Sequence, residues 1–230
     1  MISKCEIAFL NVNSVSGVGV IDKAALILQA LRSRPLDLAD LQEASGLPRA
    51  TAHRLVVALE QHHLVRRDAQ GRFCLGFELV ALGRLAAEQF GLGDVALPAM
   101  QELRDACGES VQLYVREDEA RRCVVSLHSP HALRWIVPEG SVLPLGVGSA
   151  GRVLGGEPFG DGGWIESVEE REPGVASVSA PVHDRSGRVI AAVSVSGPVE
   201  RLTRAPGELV GAAVAAAGVQ ISDAVRSALG

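Results

Sequence analysis

The chain has 230 residues, is 47% hydrophobic and carries 22 basic against 27 acidic side chains, enough for two cores under a mildly acidic surface of net charge −5. That balance excludes a protein that coats nucleic acid along its whole length. Cut at residue 83, the front part holds 9 basic and 8 acidic side chains and the remainder 13 and 19, so any nucleic-acid contact belongs to the front part.

Residues 1–18 carry no basic start, long apolar core or small-residue cleavage site, and are expected to form a loose arm. A first helix is expected from Asp22 to Leu31, with Ile21, Ala25, Leu28 and Leu31 on one face. Leu38, Leu41, Ala44 and Leu47 then recur every third residue, which suits a short docked helix. Gly46 supplies the left-handed geometry of a sharp turn, and Pro48 sits where a second helix should start. That helix is expected to bury Ala52, Leu55, Val56 and Leu59, and to turn Arg49, Ala50, Thr51, His53 and Arg54 outward. Helix, glycine turn, and a helix fronted by small, hydroxyl and arginine side chains make a helix-turn-helix. Residues 64–75 read as a hairpin around Asp68-Ala-Gln-Gly71, a wing whose Arg66, Arg67 and Arg72 are placed to meet the phosphate backbone. Between residues 48 and 73 five arginines face Glu60 and Asp68. Three-helix units with hairpins also serve as protein-docking modules; the excess of arginine favours DNA.

Residues 77–90 predict a helix apolar almost all round, through Leu79, Val80, Leu82, Leu85 and Ala86. Such a helix needs covering, either by its twin in a dimer or by the core of the back domain. Gly91-Leu-Gly-Asp94 marks a boundary. The expected domains are therefore an arm over 1–18, a winged helix-turn-helix over 19–76, a linker helix over 77–93 and a back domain over 94–230. The back domain predicts a helix over 95–107, strands over 110–116, 122–127 and 133–137, a turn-rich connector at 138–146, a strand pair over 175–182 and 189–195, and a terminal helix over 206–229. Strands flanked by helices suggest an α+β fold, an antiparallel sheet with helices on one face. No apolar run is expected to reach the roughly twenty residues of a membrane span, so no membrane partner is expected and the protein is placed in the cytoplasm.

Enzyme motifs are few. Gly146-Val-Gly148-Ser-Ala-Gly151 matches G-x-G-x-x-G formally, but it follows a proline-containing loop and lies deep in the chain. His128 and His131 lack a partner at convincing ligand spacing, and Cys5, Cys74, Cys107 and Cys123 stand too far apart for a zinc or redox pair. The cysteines are read as free thiols, and no cofactor or metal is expected. Glu169-Glu-Arg-Glu172 reads as a solvated charged turn.

Six blocks carry a resemblance: Gly19-Val-Ile-Asp-Lys-Ala, Leu47-Pro-Arg-Ala-Thr-Ala-His-Arg-Leu, the wing end Gly71-Arg-Phe-Cys-Leu-Gly, Leu143-Pro-Leu-Gly-Val-Gly-Ser-Ala-Gly, Glu172-Pro-Gly-Val-Ala-Ser-Val-Ser-Ala-Pro-Val and Ala191-Ala-Val-Ser-Val-Ser-Gly-Pro. In that order they resemble the IclR family of bacterial transcriptional regulators, from about residue 19 to the C-terminus. The last two particularly resemble a branch in GC-rich bacteria that regulates amino-acid metabolism, including leucine biosynthesis. The resemblance implies a winged-helix domain, a linker helix and a GAF-like effector domain. It also implies a homodimer or tetramer on an inverted-repeat DNA operator, and an effector such as an amino acid, keto acid or other organic acid. Carried over, Ser149, Ala150 and Gly151 would offer N–H groups to an anion, and Ser177, Ser194 and Ser196 hydroxyls from neighbouring strands. Read without the resemblance, those serines would be the solvent side of a sheet.

Two departures stand out. Ser167 occupies a position where many relatives place an acidic pocket residue. Residues 155–164, Gly-Gly-Glu-Pro-Phe-Gly-Asp-Gly-Gly-Trp, bridge in about ten residues what the family spans with a few tens. The expected function is a sequence-specific regulator of metabolic genes, switched by a small molecule. The alternative is a ligand-blind DNA binder whose shortened back domain, around 152–164, serves only oligomerisation.

Overall fold

The structure, a computed structural model, describes residues 19–228; the expected arm over 1–18 lies outside them. The chain divides into two compact units, with the break between Phe90 and Gly91.

The front unit runs α1 (Gly19–Ala30), α2 (Leu38–Ser45), α3 (Arg49–Gln61), β1 (Val65–Arg67), β2 (Phe73–Leu75) and α4 (Glu78–Phe90). α1 starts three residues earlier than expected and buries Ile27, with Leu31 just beyond its end and Ala24 and Leu28 packed alongside; Ile21 is 61% exposed and Ala25 is exposed too. Ala24 and Ile27 take the place expected of Ile21 and Ala25, while Leu28 and Leu31 stay in the stripe; the overlapping set satisfies the same period, and packing in the three-helix core selects it. Asp37 caps α2 by accepting from the N–H groups of Ala39 and Asp40, and Gly46 ends it in the left-handed conformation at φ 66°. On α2 the buried positions are Leu41 and Ser45 instead of Ala44, and the Ser45 hydroxyl donates to the Leu41 carbonyl at 2.6 Å. α3 buries Ala52, Leu55, Val56 and Leu59, the set its spacing requires. Leu36 adds a short antiparallel bridge to Phe73, giving the wing a third partner that no sequence signal marked.

The back unit runs α5 (Leu92–Cys107), β3 (Ser110–Glu117), β4 (Ala120–Leu127), β5 (Val142–Pro144), α6 (Ser149–Leu154), β6 (Ile165–Val168), β7 (Val175–His183), β8 (Val189–Pro198), α7 (Val199–Leu202), then a π-helical turn, Gly207–Gly211, continuing into α8 (Ala212–Ala228). The strands form one antiparallel sheet in the order β5-β4-β3-β8-β7-β6. The strand expected at 133–137 is absent: Val137 is buried, but Leu133 stands 71% exposed and the segment joins no ladder. A proline follows it directly, and Arg201 and Cys123 hold its Leu133 and Val137 carbonyls by side-chain contacts instead. One edge of the sheet is β5, inside the segment expected to be only a connector.

Alternation gives the sheet two different faces. Val111 and Leu113 of β3, Ala176, Val178, Ala180 and Val182 of β7, and Ala191, Val193 and Val195 of β8 join α5 and α8 in the larger core. The other face carries Tyr114, Cys123, Ile165 and Ala192 with Ala150, Val153 and Leu154 of α6. Helical cover on both faces corrects the expectation of one. A register shift at Leu113–Tyr114 explains why Val125 joins the larger core while Cys123, two residues before it, faces α6. The 22-residue segment Gly207–Ala228, against expectation, is long and apolar enough by length and composition to cross a membrane. Here α8 buries Val214, Ala217, Ile221 and Val225 in the larger core, and at Gly218 an added Cβ would lie 2.7 Å from the Pro181 carbonyl oxygen of β7. This is the close packing of a core helix on a sheet.

Candidate functional site

Two surfaces carry the chemistry, one in each unit. In the front unit α3 turns Arg49, Ala50, His53 and Arg54 to solvent, with Thr51 half-buried at its first turn. The wing arginines differ among themselves. Arg67 is a strut: its Nε donates to Glu60 of α3 at 3.1 Å, its Nη1 to the Gly71 carbonyl at 3.2 Å, and its guanidinium lies 4.2 Å from the Phe73 ring centroid. Arg72 pairs with Asp68 at 2.7 Å, while the other Asp68 oxygen accepts the backbone N–H groups of Gln70 and Arg72 and shapes the turn. Against the upward pull of desolvation, those bonds hold the Asp68 carboxyl below its usual range. Glu60 and Asp68 thus offset Arg67 and Arg72, and the local excess of three positive charges resides on Arg49, Arg54 and Arg66. Arg66 lies over the ring of Phe77, 5.0 Å away.

In the back unit the α6 face of the sheet carries a stripe of buried hydroxyls. Ser149 of α6 is 2.7 Å from both Ser177 and Ser179 of β7, and Ser179 donates to Ser194 of β8 at 2.8 Å. Ser196 donates to the amide oxygen of Gln112, a fully buried side chain of β3, at 2.7 Å. The serines are therefore not the solvent side of the sheet: Ser179 and Ser194 are at most 2% exposed. Ser149, Ser177, Ser194 and Ser196 border a small cavity of about 30 Å3, lined also by Ala150, Ser167, Tyr114, Arg121, Trp135, Arg171 and Glu172, with Ser179 behind them.

Six of the seven expected ligand residues, Ser149, Ala150, Ser167, Ser177, Ser194 and Ser196, line this cavity, and Gly151 does not. Gly151 is where the chain passes under Arg121 and the Leu145 carbonyl, so closely that an added Cβ would collide with both. α6 has only six residues, and the N–H of Gly148 leading into it already donates to the Glu170 carboxylate at 3.0 Å. Positive charge at the cavity comes from side chains instead.

The front unit matches the IclR helix-turn-helix domain over residues 20–69, and the back unit matches the bacterial transcriptional regulator IclR C-terminal domain over 160–223. The glycerol operon regulatory protein of Streptomyces coelicolor is 32% identical, across 82% of this chain and 88% of that protein. The chain belongs to the IclR family. It is accordingly a transcriptional regulator and not an enzyme. Among other IclR-type relatives, the regulator KipR of Bacillus subtilis is 26% identical over 80% of this chain and 87% of its own length. The fold is that of the solved IclR homologue from Microbacterium hydrocarbonoxydans complexed with 4-hydroxybenzoate: TM-score 0.78, 21% identity, covering 91% of this chain and 100% of that one. The Thermotoga maritima IclR structure gives a TM-score of 0.71 at 19% identity, over 90% and 98% of the two chains.

Within this IclR back unit, sequence reasoning passed over Arg121, Tyr114, Trp135 and Ser179. A signal for Arg121 existed: it alternates with Cys123 on β4, and both face α6. Arg121 is 3% exposed and sits 5.4 Å from the centroid of the Tyr114 ring. Its Nη1 donates to the carbonyls of Pro144 and of Val147, the latter at 2.8 Å. Burial pushes its pKa down to about 10, so it stays cationic at neutral pH. The Glu169–Glu172 turn is not simply a solvated turn. Glu170 bonds Gly148 and Arg152, Arg171 stacks 5.1 Å from Trp135, and Arg171 and Glu172 help wall the cavity. The shortened 155–164 segment ends on an anchor: the Trp164 ring lies against Gly162, Gly207 and Gly211, where side chains would displace it.

Proposed function

We propose that this protein binds inverted-repeat operator DNA as a homodimer or tetramer, in the cytoplasm, and that a small molecule in the serine-lined cavity changes that binding. The carrying observation is the cavity itself, where hydroxyls from α6, β7 and β8 converge on one buried space beside a cation. Thr51, His53 and Arg54 of α3 read base edges from the major groove, with Arg49 and Ala50 at the helix entrance. Arg66 meets the phosphate backbone, and Arg67 and Arg72 shape the wing that presents it. Residues 19–76 form the DNA-binding domain, 77–93 the linker and 94–230 the effector domain. Phe77, Val80, Leu82 and Leu85 are 49–74% exposed at α4, an apolar surface suited to pairing with a second copy.

A small-molecule effector is supported by the relative named for a glycerol operon and by the fold neighbour that holds 4-hydroxybenzoate. We place the target genes in small-molecule metabolism, with amino-acid biosynthesis the class to which the blocks at 172–182 and 191–198 point. The second reading, a ligand-blind DNA binder, is favoured by the cavity of only about 30 Å3. Titrating operator binding with amino acids, keto acids and other organic acids decides between them. A typical coupling predicts an affinity change of about 5- to 150-fold for one of them. Specific binding that none of them alters would favour the ligand-blind reading.

A further inference from the structure

We propose that residues 131–137 form a flap over the cavity, and that Arg171, laid on the ring of Trp135, is the latch that keeps it shut. Taking the cavity as the effector site, this adds how that site opens.

The closed space of about 30 Å3 holds one or two waters, so an organic metabolite enters only if a wall gives way. Most of the walls are fixed. β7 and β8 are hydrogen-bonded on both sides within the sheet, and α6 buries five of its six residues. The turn that carries Arg171 is pinned too. Glu169 accepts the Gly174 N–H at 3.0 Å and pairs with Arg204 at 2.9 Å, while Glu170 pairs with Arg152 at 3.0 Å.

The wall that carries Trp135 differs. Among the described residues, the backbone N–H groups from Ala132 to Val137 make no hydrogen bond within the chain. Pro130 to Arg134 are exposed, and only Val137 is fully buried. Besides packing, side chains hold the segment. Arg201 Nη2 donates to the Leu133 carbonyl at 3.0 Å, and the Cys123 thiol reaches the Val137 carbonyl at 3.8 Å. The Arg171 guanidinium stands 5.1 Å from the centre of the Trp135 ring. Both ends are anchored. Ser129 donates to the Gly108 carbonyl at 2.6 Å, and its N–H donates to Ser110 Oγ at 3.1 Å. At the other end, the Ser141 N–H donates to the Pro138 carbonyl at 3.1 Å. A short span with fixed ends and no ladder opens locally, without disturbing the sheet.

The ring itself favours movement. The Trp135 indole N–H is buried without a hydrogen-bond partner, so closure leaves a donor unsatisfied that water would satisfy once the ring swings out. Arg171 opposes that movement by a cation–π contact, and it ties the movable wall to the pinned turn. Cys123, fully buried and in contact with the Val137 carbonyl, lies where opening would expose it.

The test uses the full chain with neither DNA nor effector, so its failure is distinct from failure of the effector reading. Two small neutral probes read opening: acrylamide, which quenches Trp135 on contact, and iodoacetamide, which alkylates Cys123. Trp164→Phe isolates the Trp135 signal, and peptide mass spectrometry isolates Cys123. Alkylation of native Cys123 should be slow and change less than about twofold between 0 and about 1 M urea, because only a short segment opens. Access through global unfolding would instead raise it roughly 5- to 150-fold. Arg171→Ala should raise Cys123 alkylation about two- to fivefold and increase quenching of Trp135, with Cys74 of the front unit unchanged. Arg171→Lys, which keeps a cation over the ring, should retain most of the latch. A steep urea dependence, either probe unmoved by Arg171→Ala, an equal rise at Cys74, or Arg171→Lys behaving as Arg171→Ala would overturn the proposal. The urea profile of the unaltered chain decides if a variant fails to fold.

Discussion

Gly211→Ala should destabilise the protein when Trp164 is present and stabilise it when Trp164 is absent. Gly211 lies in the helical run Gly207–Ala228 with no left-handed requirement, so helix propensity alone favours alanine by about 0.5–1 kcal/mol. Its added Cβ, however, would fall 2.5 Å from Cε2 and 2.6 Å from Nε1 of Trp164. Overpacking of that kind costs roughly 1–3 kcal/mol. Trp164→Ala removes the obstruction but forfeits a half-buried indole, a loss of about 2–3 kcal/mol after discounting a fully buried tryptophan for its exposure. The double variant should therefore be more stable than Trp164→Ala alone, with a coupling of roughly 1–3 kcal/mol between the two sites, since the propensity gain is common to both backgrounds. Differential scanning calorimetry reads this as a melting-point change of about 2–4 °C per kcal/mol for a chain of this size. Equal costs of Gly211→Ala in both backgrounds would refute the claim that Trp164 anchors the shortened segment on these glycines.

Three further outcomes follow from the same geometry. Arg66→Ala should weaken operator and random DNA alike and lower the salt slope by roughly one, whereas Arg72→Ala, already paired with Asp68, should change that slope by clearly less; equal slopes would contradict the division. Gly46→Ala meets no atom within 4 Å, so its cost is the left-handed backbone alone, about 1–2 kcal/mol, measurable by thermal denaturation; no loss would mean the turn relaxes freely. Burial, aided by the Glu139 charge, pushes the Cys123 thiol up to about 12, leaving a thiolate fraction of roughly 10⁻⁴ at pH 8. Cys123 should then resist thiol reagents in the folded protein and react on denaturation; rapid labelling of the native protein would count against its buried placement.

How much was legible depended on whether a local pattern carried the information. α3 could be read because Ala52, Leu55, Val56 and Leu59 form one unambiguous stripe, and Gly46 announced its turn. The stripe of α1 could not, since two overlapping sets shared Leu28 and Leu31. Apolar content suggested a strand at 133–137, but strand formation needs a ladder partner, and this segment meets side chains instead. At the cavity, Ser194 and Ser196 were visible through period-two spacing. Arg121 escaped because an arginine is ordinarily assigned to solvent, and its burial depends on carbonyls from 23 and 26 residues later in the chain. Likewise the roles of Arg67 and Arg72 could not be separated by counting charge; only the positions of Glu60 and Asp68 distinguish strut from free cation.

Sequence-specific DNA binding through α3 can be read by fluorescence anisotropy titration. The full chain and its Arg54→Ala variant would be titrated with duplex from the protein's own upstream region and with random duplex, at two salt concentrations. The wild-type chain should prefer the operator by about a thousandfold or more, and Arg54→Ala should lose roughly 5- to 150-fold on the operator with little change on random duplex. Equal wild-type affinity for both duplexes, or an equal loss on both in the variant, would contradict it.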